Sequence, residues 1–595
     1  MWMDDKIEEL PAGKKVYDGQ MVKRLLPLLK PFRLRILGGG AILVVSSGLE
    51  LLPPLLLKRA IDVNIAGSDF RGLLATAAMY MALQAATFGV NYLLLVTLES
   101  LGVRMVSALK SRLFAHMLGM DAAYYDRNPV GRLIARVESD TEAIRRLFTS
   151  TMFTVLKAMV SLVGIVLVMM RVSLSLFLAV SALIPAIVLV TALFQNKVRP
   201  MFVLVRKRYA DIVAYLTEMV QGMRVIQAFS REGAVRQGMA ALNRSYIKAL
   251  FPADILDMGF FSLMGVFEIA GLAVILLVGG AMVSRGELTI GAMVLFLGYL
   301  RQFFMPVYAF SEQVGIMQRA FAAAERVFEI MDIKPQVTDP DHPAQWEGFR
   351  QCLEFRGVDF SYGPREGTDQ PDWVLHNVSF NIHRGQRIAL VGATGGGKSS
   401  IINLMLRFYD PQRGAVLIDG VDVRNIPLAK LRRNFGLVLQ DVFIFPGTVK
   451  ENLTLGSEMG REQLERAVEI LGLRRILDKM PHGLDSELTE RGANLSQGER
   501  QLVSFARALA FNPQILILDE ATSSVDPLSE RLIQQGIKRL LEGRTAVIVA
   551  HRLSTIRDAD RIMVVHKGRI VESGTHQELL DRDGHYAKLY RIQFC

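Results

Sequence analysis

Two short stretches of this 595-residue chain carry residue types whose spacing suits chemistry on phosphate groups. The first is Gly392–Ser399 (GATGGGKS), which follows the apolar run Ile388–Val391 and precedes the helical pattern Ser400–Phe408. In a strand–loop–helix of this kind the backbone N–H groups of Gly392, Ala393, Thr394, Gly395, Gly396 and Gly397 point at phosphate oxygens, and the helix N-terminus adds positive potential. Lys398 reaches the β- and γ-phosphates, the Ser399 hydroxyl reaches Mg2+, and Ser400 opens the helix. The second stretch, Ile515–Glu520 (ILILDE), is an apolar strand ending in two carboxylates. Asp519 suits a Mg2+ role and Glu520 suits polarising an attacking water, because ligands bind at the carboxyl ends of strands in parallel sheets. An acidic pair that merely caps a helix is the plainer alternative. A further apolar strand, Thr545–Ala550, ends in His551, which is either structural or a sensor of a terminal phosphate.

These residues need an α/β domain to hold them. From about residue 352 onward, apolar β-rich runs alternate with helical patterns, as expected of a largely parallel sheet with helical crossovers. Before it, Lys334–Gly348 is rich in Pro, Asp and polar residues and reads as a linker. The first half differs in kind. Six apolar stretches near 36–57, 73–98, 151–170, 172–194, 260–283 and 290–310 are each about the 20 residues that a membrane-crossing helix requires. The expected organisation is therefore a tail with a basic, amphipathic interfacial entry helix (1–35), an all-α six-helix transmembrane domain with long cytoplasmic helical extensions (36–332), a linker (333–350) and an α/β phosphate-loop domain (351–595).

Composition agrees with a split chain. Hydrophobic residues make up 51% and charged residues 21%, and long stretches of the first half carry almost no charge. The net charge of +11 does not indicate nucleic acid. The linkers around 99–150 and 195–250 hold eight and ten Lys/Arg, whereas the three short linkers share five, which is the asymmetry of cytoplasmic and outer loops. Both termini and the long linkers are thus expected in the cytoplasm. Cys352 and Cys595, the only cysteines, make no disulfide framework, and the first thirty residues do not read as a cleavable signal peptide. Each long linker has one break, Asp121–Gly131 with Asn128-Pro129 and Gly222–Glu232 with Phe229, where a short gripping element or an ordinary turn could sit. Glu50, Glu99 and Glu268 fall in or at the ends of apolar spans, where carboxylates are expensive and face a cavity or a partner. Glu50 and Glu268 read as cavity-facing, Glu99 as interfacial.

Between the phosphate loop and the acidic strand lies Leu495–Glu499 (LSQGE), followed by Arg500-Gln501 and Ala506-Arg507-Ala508-Leu509. With Gln440 and Ser524–Asp526 (SVD), this ordered set closely resembles the ATP-binding cassette of type IV ABC exporters, and Tyr125–Asp140 and Gln318–Phe328 extend the likeness to the first half. The resemblance implies that Tyr362 stacks on adenine and that Gln440 contacts Mg2+. It implies that Leu495, Ser496, Gln497, Gly498 and Glu499 form the signature facing ATP on a partner cassette, with Ser496 and Gly498 as the contacts. It likewise implies that Asp526 crosses the dimer interface and that His551 is the switch histidine. Two departures stand out. Gln497 and Glu499 replace the glycine and glutamine of the commoner signature, and Gly396 stands where serine is usual.

The function implied is ATP-driven export of amphipathic small molecules, drugs or lipids, by a multi-pass protein of a bacterial inner membrane. ATP and Mg2+ are the implied ligands and a second half-transporter the implied partner, a heterodimer being favoured because the wording around LSQGERQLVSFARAL and ILILDEATSSVD resembles the glutamate-keeping chain of heterodimeric members, with a homodimer as the rival. The alternative from another class is an ATP-gated channel or regulatory subunit on the same fold. A soluble chromosome-maintenance ATPase shares a comparable signature but lacks six spans.

Overall fold

The computed structural model describes residues 23–25, 27, 29–364, 370–519, 527–549 and 556–594. They form two compact units: one of residues up to Met117 with Gly131–Asp332, the other of Leu118–Val130 with Ile333–Cys595.

Among the described residues the first unit contains helices and turns and no strand. Five helices are long and apolar enough to cross a membrane: α1 (Lys30–Ile65), α2 (Phe70–Leu118), α4 (Val130–Val172), α5 (Leu174–Gln221) and α7 (Glu232–Ser284). A sixth, α8 (Ile290–Asp332), opens with the shorter apolar helix Ile290–Met305 among the described residues. The long helices far exceed a bilayer: the 49 residues of α2 span about 70 Å at 1.5 Å per residue. Their breaks are chemically marked. Ser173 adopts an extended backbone and its hydroxyl accepts from the Leu176 N–H at 3.3 Å, separating α4 from α5. The core centres on Ile165, Leu176, Met264, Phe296 and Tyr299, all essentially inaccessible, with Phe194 and Phe260 stacked at 4.0 Å. α5 and α7 run against each other, and between them the Tyr215 hydroxyl donates to the Val235 carbonyl at 3.1 Å. They are joined through α6 (Met223–Ala228).

Among the described residues the second unit has two main sheets and a small two-stranded pairing of Gly447–Thr448 with Glu487–Leu488. β1 (Cys352–Pro364), β2 (Pro371–His383), β4 (Arg413–Ile418) and β5 (Val421–Asp422) form an antiparallel sheet in the order β2-β1-β4-β5. The larger sheet takes β3 (Arg387–Val391), β6 (Phe435–Val438), β7 (Ile515–Asp519), β8 (Thr545–Val549), β9 (Arg561–His566) and β10 (Arg569–Gly574) in the order β10-β9-β3-β8-β7-β6. All its pairs are parallel except β9–β10. Helix α9 (Lys398–Met405) follows β3, and α10 (Gln497–Ala510) precedes β7. Ile388, Leu390, Ile517 and Val547 are fully buried, as apolar strands covered on both faces must be, each worth about 1.5–3 kcal/mol.

Two stretches from outside 351–595 pack onto this unit. Trp346 and Phe349, from the polar stretch read as a linker, are buried in the core beside β1. The stretch is thus packed on the domain rather than free. The short helix α3 (Ala122–Arg127), from the first long linker, lies in the same core through Ala123.

Candidate nucleotide site and intramembrane polar cluster

The phosphate loop leaves the central strand β3 and turns into α9 at Gly397, whose φ of +104° is left-handed; a Cβ there would meet Leu375 Cδ2 at 2.7 Å. A Cβ on Gly392 would strike the Val565 carbonyl on β9. Glycine is thus required at both ends of the loop. Ala393, Thr394, Gly395 and Ser399 are exposed, while Gly396, Lys398 and Ser400 are buried. Gly396 carries the loop's tie to the strand turn: its N–H donates to Ala393 at 3.1 Å and its carbonyl accepts from the Gly568 N–H at 3.1 Å. Lys398 Nζ arches back to the carbonyls of Gly392 at 2.7 Å and Ala393 at 3.0 Å. Burial lowers its affinity for its proton, and the nearby Asp519 carboxylate opposes that effect.

The other predicted nucleotide residues gather at the carboxyl ends of neighbouring strands. Asp519 ends β7, in register with Val549 of β8, and the exposed Gln440 follows the edge strand β6 by two residues. Ser399, Gln440 and Asp519 offer hard oxygens, the donor set that suits Mg2+. Glu520, Asp526 and His551 lie outside the described residues. Tyr362, at the end of β1, sits beside α9, its hydroxyl 3.0 Å from Ser400 Oγ and 3.1 Å from Asn403 Nδ2, and edge-on to Tyr409 at 5.0 Å.

The signature caps its own helix. Ser496 precedes α10, its hydroxyl accepting from the Glu499 N–H at 3.3 Å while the Glu499 carboxylate accepts from the Ser496 N–H at 2.8 Å. The glutamate that departs from the commoner signature thus closes a capping box at the positive end of a helix. Leu495 and Gly498 are buried and Gln497 is exposed. Arg507, further along α10, holds the segment after Gln440: its guanidinium donates to Asn452 O at 2.8 Å, Phe443 O at 2.9 Å and Asn452 Oδ1 at 3.1 Å. Sequence reasoning quoted Arg507 without a role; an arginine in the apolar run of an amphipathic helix was the available signal.

Sequence reasoning also missed how α3 is seated. Asp121 caps it, accepting from the Tyr124 N–H at 3.0 Å, and also accepts from the Gln336 N–H at 2.5 Å. The Asp126 carboxylate accepts from the Tyr409 hydroxyl, and Arg127 donates to the Tyr362 carbonyl at 2.8 Å. Burial, reinforced by Asp126, raises the Tyr409 phenol well above the ordinary tyrosine range.

In the helical unit the carboxylates flagged in the sequence have cationic partners. Glu50 Oε1 accepts from Lys157 Nζ at 2.7 Å and Asn91 Nδ2 at 3.1 Å. Asn91 Oδ1 in turn accepts from Ser46 Oγ at 2.6 Å and Lys157 Nζ at 3.3 Å. Three helices, α1, α2 and α4, contribute to this cluster. Glu268 on α7 faces Arg301 on α8 at 3.6 Å, and Glu99 accepts from Arg145 at 2.6 Å. The two likeness-bearing segments of the first half meet where Arg326 donates to the buried Asp140 at 2.5 and 3.1 Å.

Comparison with known proteins finds relatives for both halves of the chain. Residues 36–307 match the model of the ABC transporter transmembrane region, and residues 375–523 match that of the ABC transporter. An uncharacterized ABC transporter ATP-binding protein of Bacillus subtilis is 34% identical over 98% of this chain and 96% of its own length. The ATP-dependent lipid A-core flippase of Syntrophus aciditrophicus is 32% identical over 96% of this chain and 94% of its own. A probable multidrug resistance ABC transporter ATP-binding/permease protein of Bacillus subtilis is 36% identical over 88% and 77%. Among solved structures, a bacterial Atm1-family ABC exporter with ATP bound superposes with a TM-score of 0.73 at 28% identity, covering 95% of this chain and 98% of that one.

Proposed function

The chain belongs to the ABC transporter family, and from that membership we propose that it is half of an ATP-driven exporter of amphipathic small molecules, drugs or lipids. The observation that carries the reading is the seat of α3. A helix drawn from the membrane half of the sequence is bonded through Arg127 and Asp126 to Tyr362 and Tyr409, beside the phosphate-loop helix. Nucleotide chemistry and the membrane helices thereby share one segment of chain.

In this reading the loop Gly392–Gly397, Lys398 and Ser400 bind ATP, and Tyr362 stacks on its adenine. Ser399, Gln440 and Asp519 would hold Mg2+, which would supply neutralisation of phosphate charge. Glu520 orients and polarises the attacking water, and His551 senses the γ-phosphate. Leu495–Glu499 presents Ser496 and Gly498 to ATP on the second cassette, and Asp526 crosses between them. Two cassettes clamped head to tail draw the cytoplasmic helices together and turn the cavity outward; hydrolysis resets it. The domain limits adopted are 36–332 for the membrane domain and 351–595 for the cassette, in a bacterial inner membrane. We favour a non-identical second half-transporter as partner; its co-purification from the native host supports this, and a single-band dimer that hydrolyses ATP overturns it.

The decisive test is Glu520→Gln in proteoliposomes. Loss of a catalytic base lowers hydrolysis by about 10²–10⁴-fold and stops efflux with it. Unimpaired hydrolysis and efflux would make the mechanism wrong, and passive ion conductance with ATP bound would favour the gated-channel alternative.

A further inference from the structure

The polar cluster in the helical unit is incomplete on one side. Glu50 Oε1 receives both bonds, from Lys157 and Asn91, while Oε2 accepts none among the described residues. Lys157 Nζ donates to Glu50 and Asn91, leaving one of its three N–H groups uncommitted. An open acceptor and an open donor thus stand side by side, and the two side chains are 34% and 30% exposed while Ser46 behind them is fully buried. The cluster sums to zero charge. Charged groups turned towards hydrocarbon are expensive, so the open side faces a wet or ligand-filled space.

We infer that Ser46, Glu50, Asn91 and Lys157 form a head-group site for amphiphiles that are zwitterionic, carrying a cationic and an anionic group with no net charge. The inference rests on the export reading above and names its substrate class. A ligand ammonium against Glu50 Oε2 and a ligand anionic oxygen against Lys157 Nζ satisfy both open positions. They bring no net charge into a medium of low dielectric constant, where an unbalanced charge is penalised. An amphiphile with a single charge satisfies one position and leaves the site unbalanced. The Glu268–Arg301 pair does not compete for this role: it spans 3.6 Å, and its arginine is 84% exposed.

The test uses the complete transporter in lipid nanodiscs and three dodecyl-chain probes below their micellar concentrations: a phosphocholine, a trimethylammonium and a sulfate. The readout is the concentration giving half-maximal change in ATP hydrolysis. The wild type is expected to respond first to the phosphocholine. Glu50→Gln leaves a net positive site, and its preference moves towards the sulfate by about tenfold, the scale of one ionic contact. Lys157→Gln moves it towards the trimethylammonium, and exchanging the pair (Glu50→Lys with Lys157→Glu) restores the phosphocholine. Should the single variants fail to assemble, Asn91→Asp, which adds a negative charge and removes neither partner, must move the preference towards the cation. An unchanged order of preference in these variants overturns the proposal, and the export reading then stands if ATP still drives probe uptake into inverted vesicles. Absence of ATP-driven uptake of every probe by the wild type, with hydrolysis intact, overturns both.

Discussion

The two long linkers end in six-residue helices of similar size and opposite surroundings. In α3, Ala123 is 4% exposed inside the cassette core, Asp121 caps the helix and bonds to the following domain, and Asp126 and Arg127 hold two tyrosines. In α6 no residue is buried; Val225 is 61% exposed, and Phe229 beside it 73%. One short helix is finished within a single chain. The other offers an apolar tip that polar solvent does not explain, which fits a surface completed by a second half-transporter.

Placing a charge in each helix breaks or sharpens that contrast most directly. Ala123→Glu buries an unpaired carboxylate, destabilises the purified protein by about 3–5 kcal/mol and abolishes ATP-driven export. Val225→Glu leaves the melting of the dissociated chain within about 0.5 kcal/mol of wild type, yet lowers export by about tenfold if a second chain covers α6. Equal export by Val225→Glu and wild type in proteoliposomes ends the idea that α6 is a contact. A smaller effect comes from the Asp126–Tyr409 bond. Asp126→Asn and Tyr409→Phe are expected to couple by about 1–2 kcal/mol in a double-mutant cycle read by denaturant unfolding; strict additivity means that the bond does not hold α3. The smallest effect is on pH dependence. Because folding raises the Tyr409 phenol, its contribution is complete below the ordinary tyrosine value of about 10 and is lost as pH rises beyond it. Melting curves of Tyr409→Phe should therefore decline less than those of wild type above that pH, and parallel curves would count against the assignment.

The phosphate loop was legible in the sequence because its chemistry is local: a strand, two obligatory glycines, a lysine and a helix within a dozen residues. The six spans were legible for the same reason, since backbone in lipid must bond within its own segment. What depended on distant pairing was not. Glu50 stood out as expensive, but its partner Lys157 lies 107 positions away in another span, beyond the reach of local pattern. Trp346 and Phe349 sat in a stretch whose Pro and Asp content spoke for a tether, and only packing revealed them as core. The two short helices were marked as breaks by Asn128-Pro129 and Gly222, yet nothing in either stretch said which one its own chain would bury.

The capping box at Ser496 has a consequence for anything that approaches it. The Ser496 oxygen already accepts from the Glu499 N–H, the Ser496 N–H is consumed by the Glu499 carboxylate, and Arg500 occupies the carbonyls of Gly492 and Leu495. Among the described residues the serine's own hydrogen is bound to nothing. The hydroxyl therefore keeps its hydrogen for whatever arrives, and an oxygen of a phosphate is the kind of acceptor that can take it.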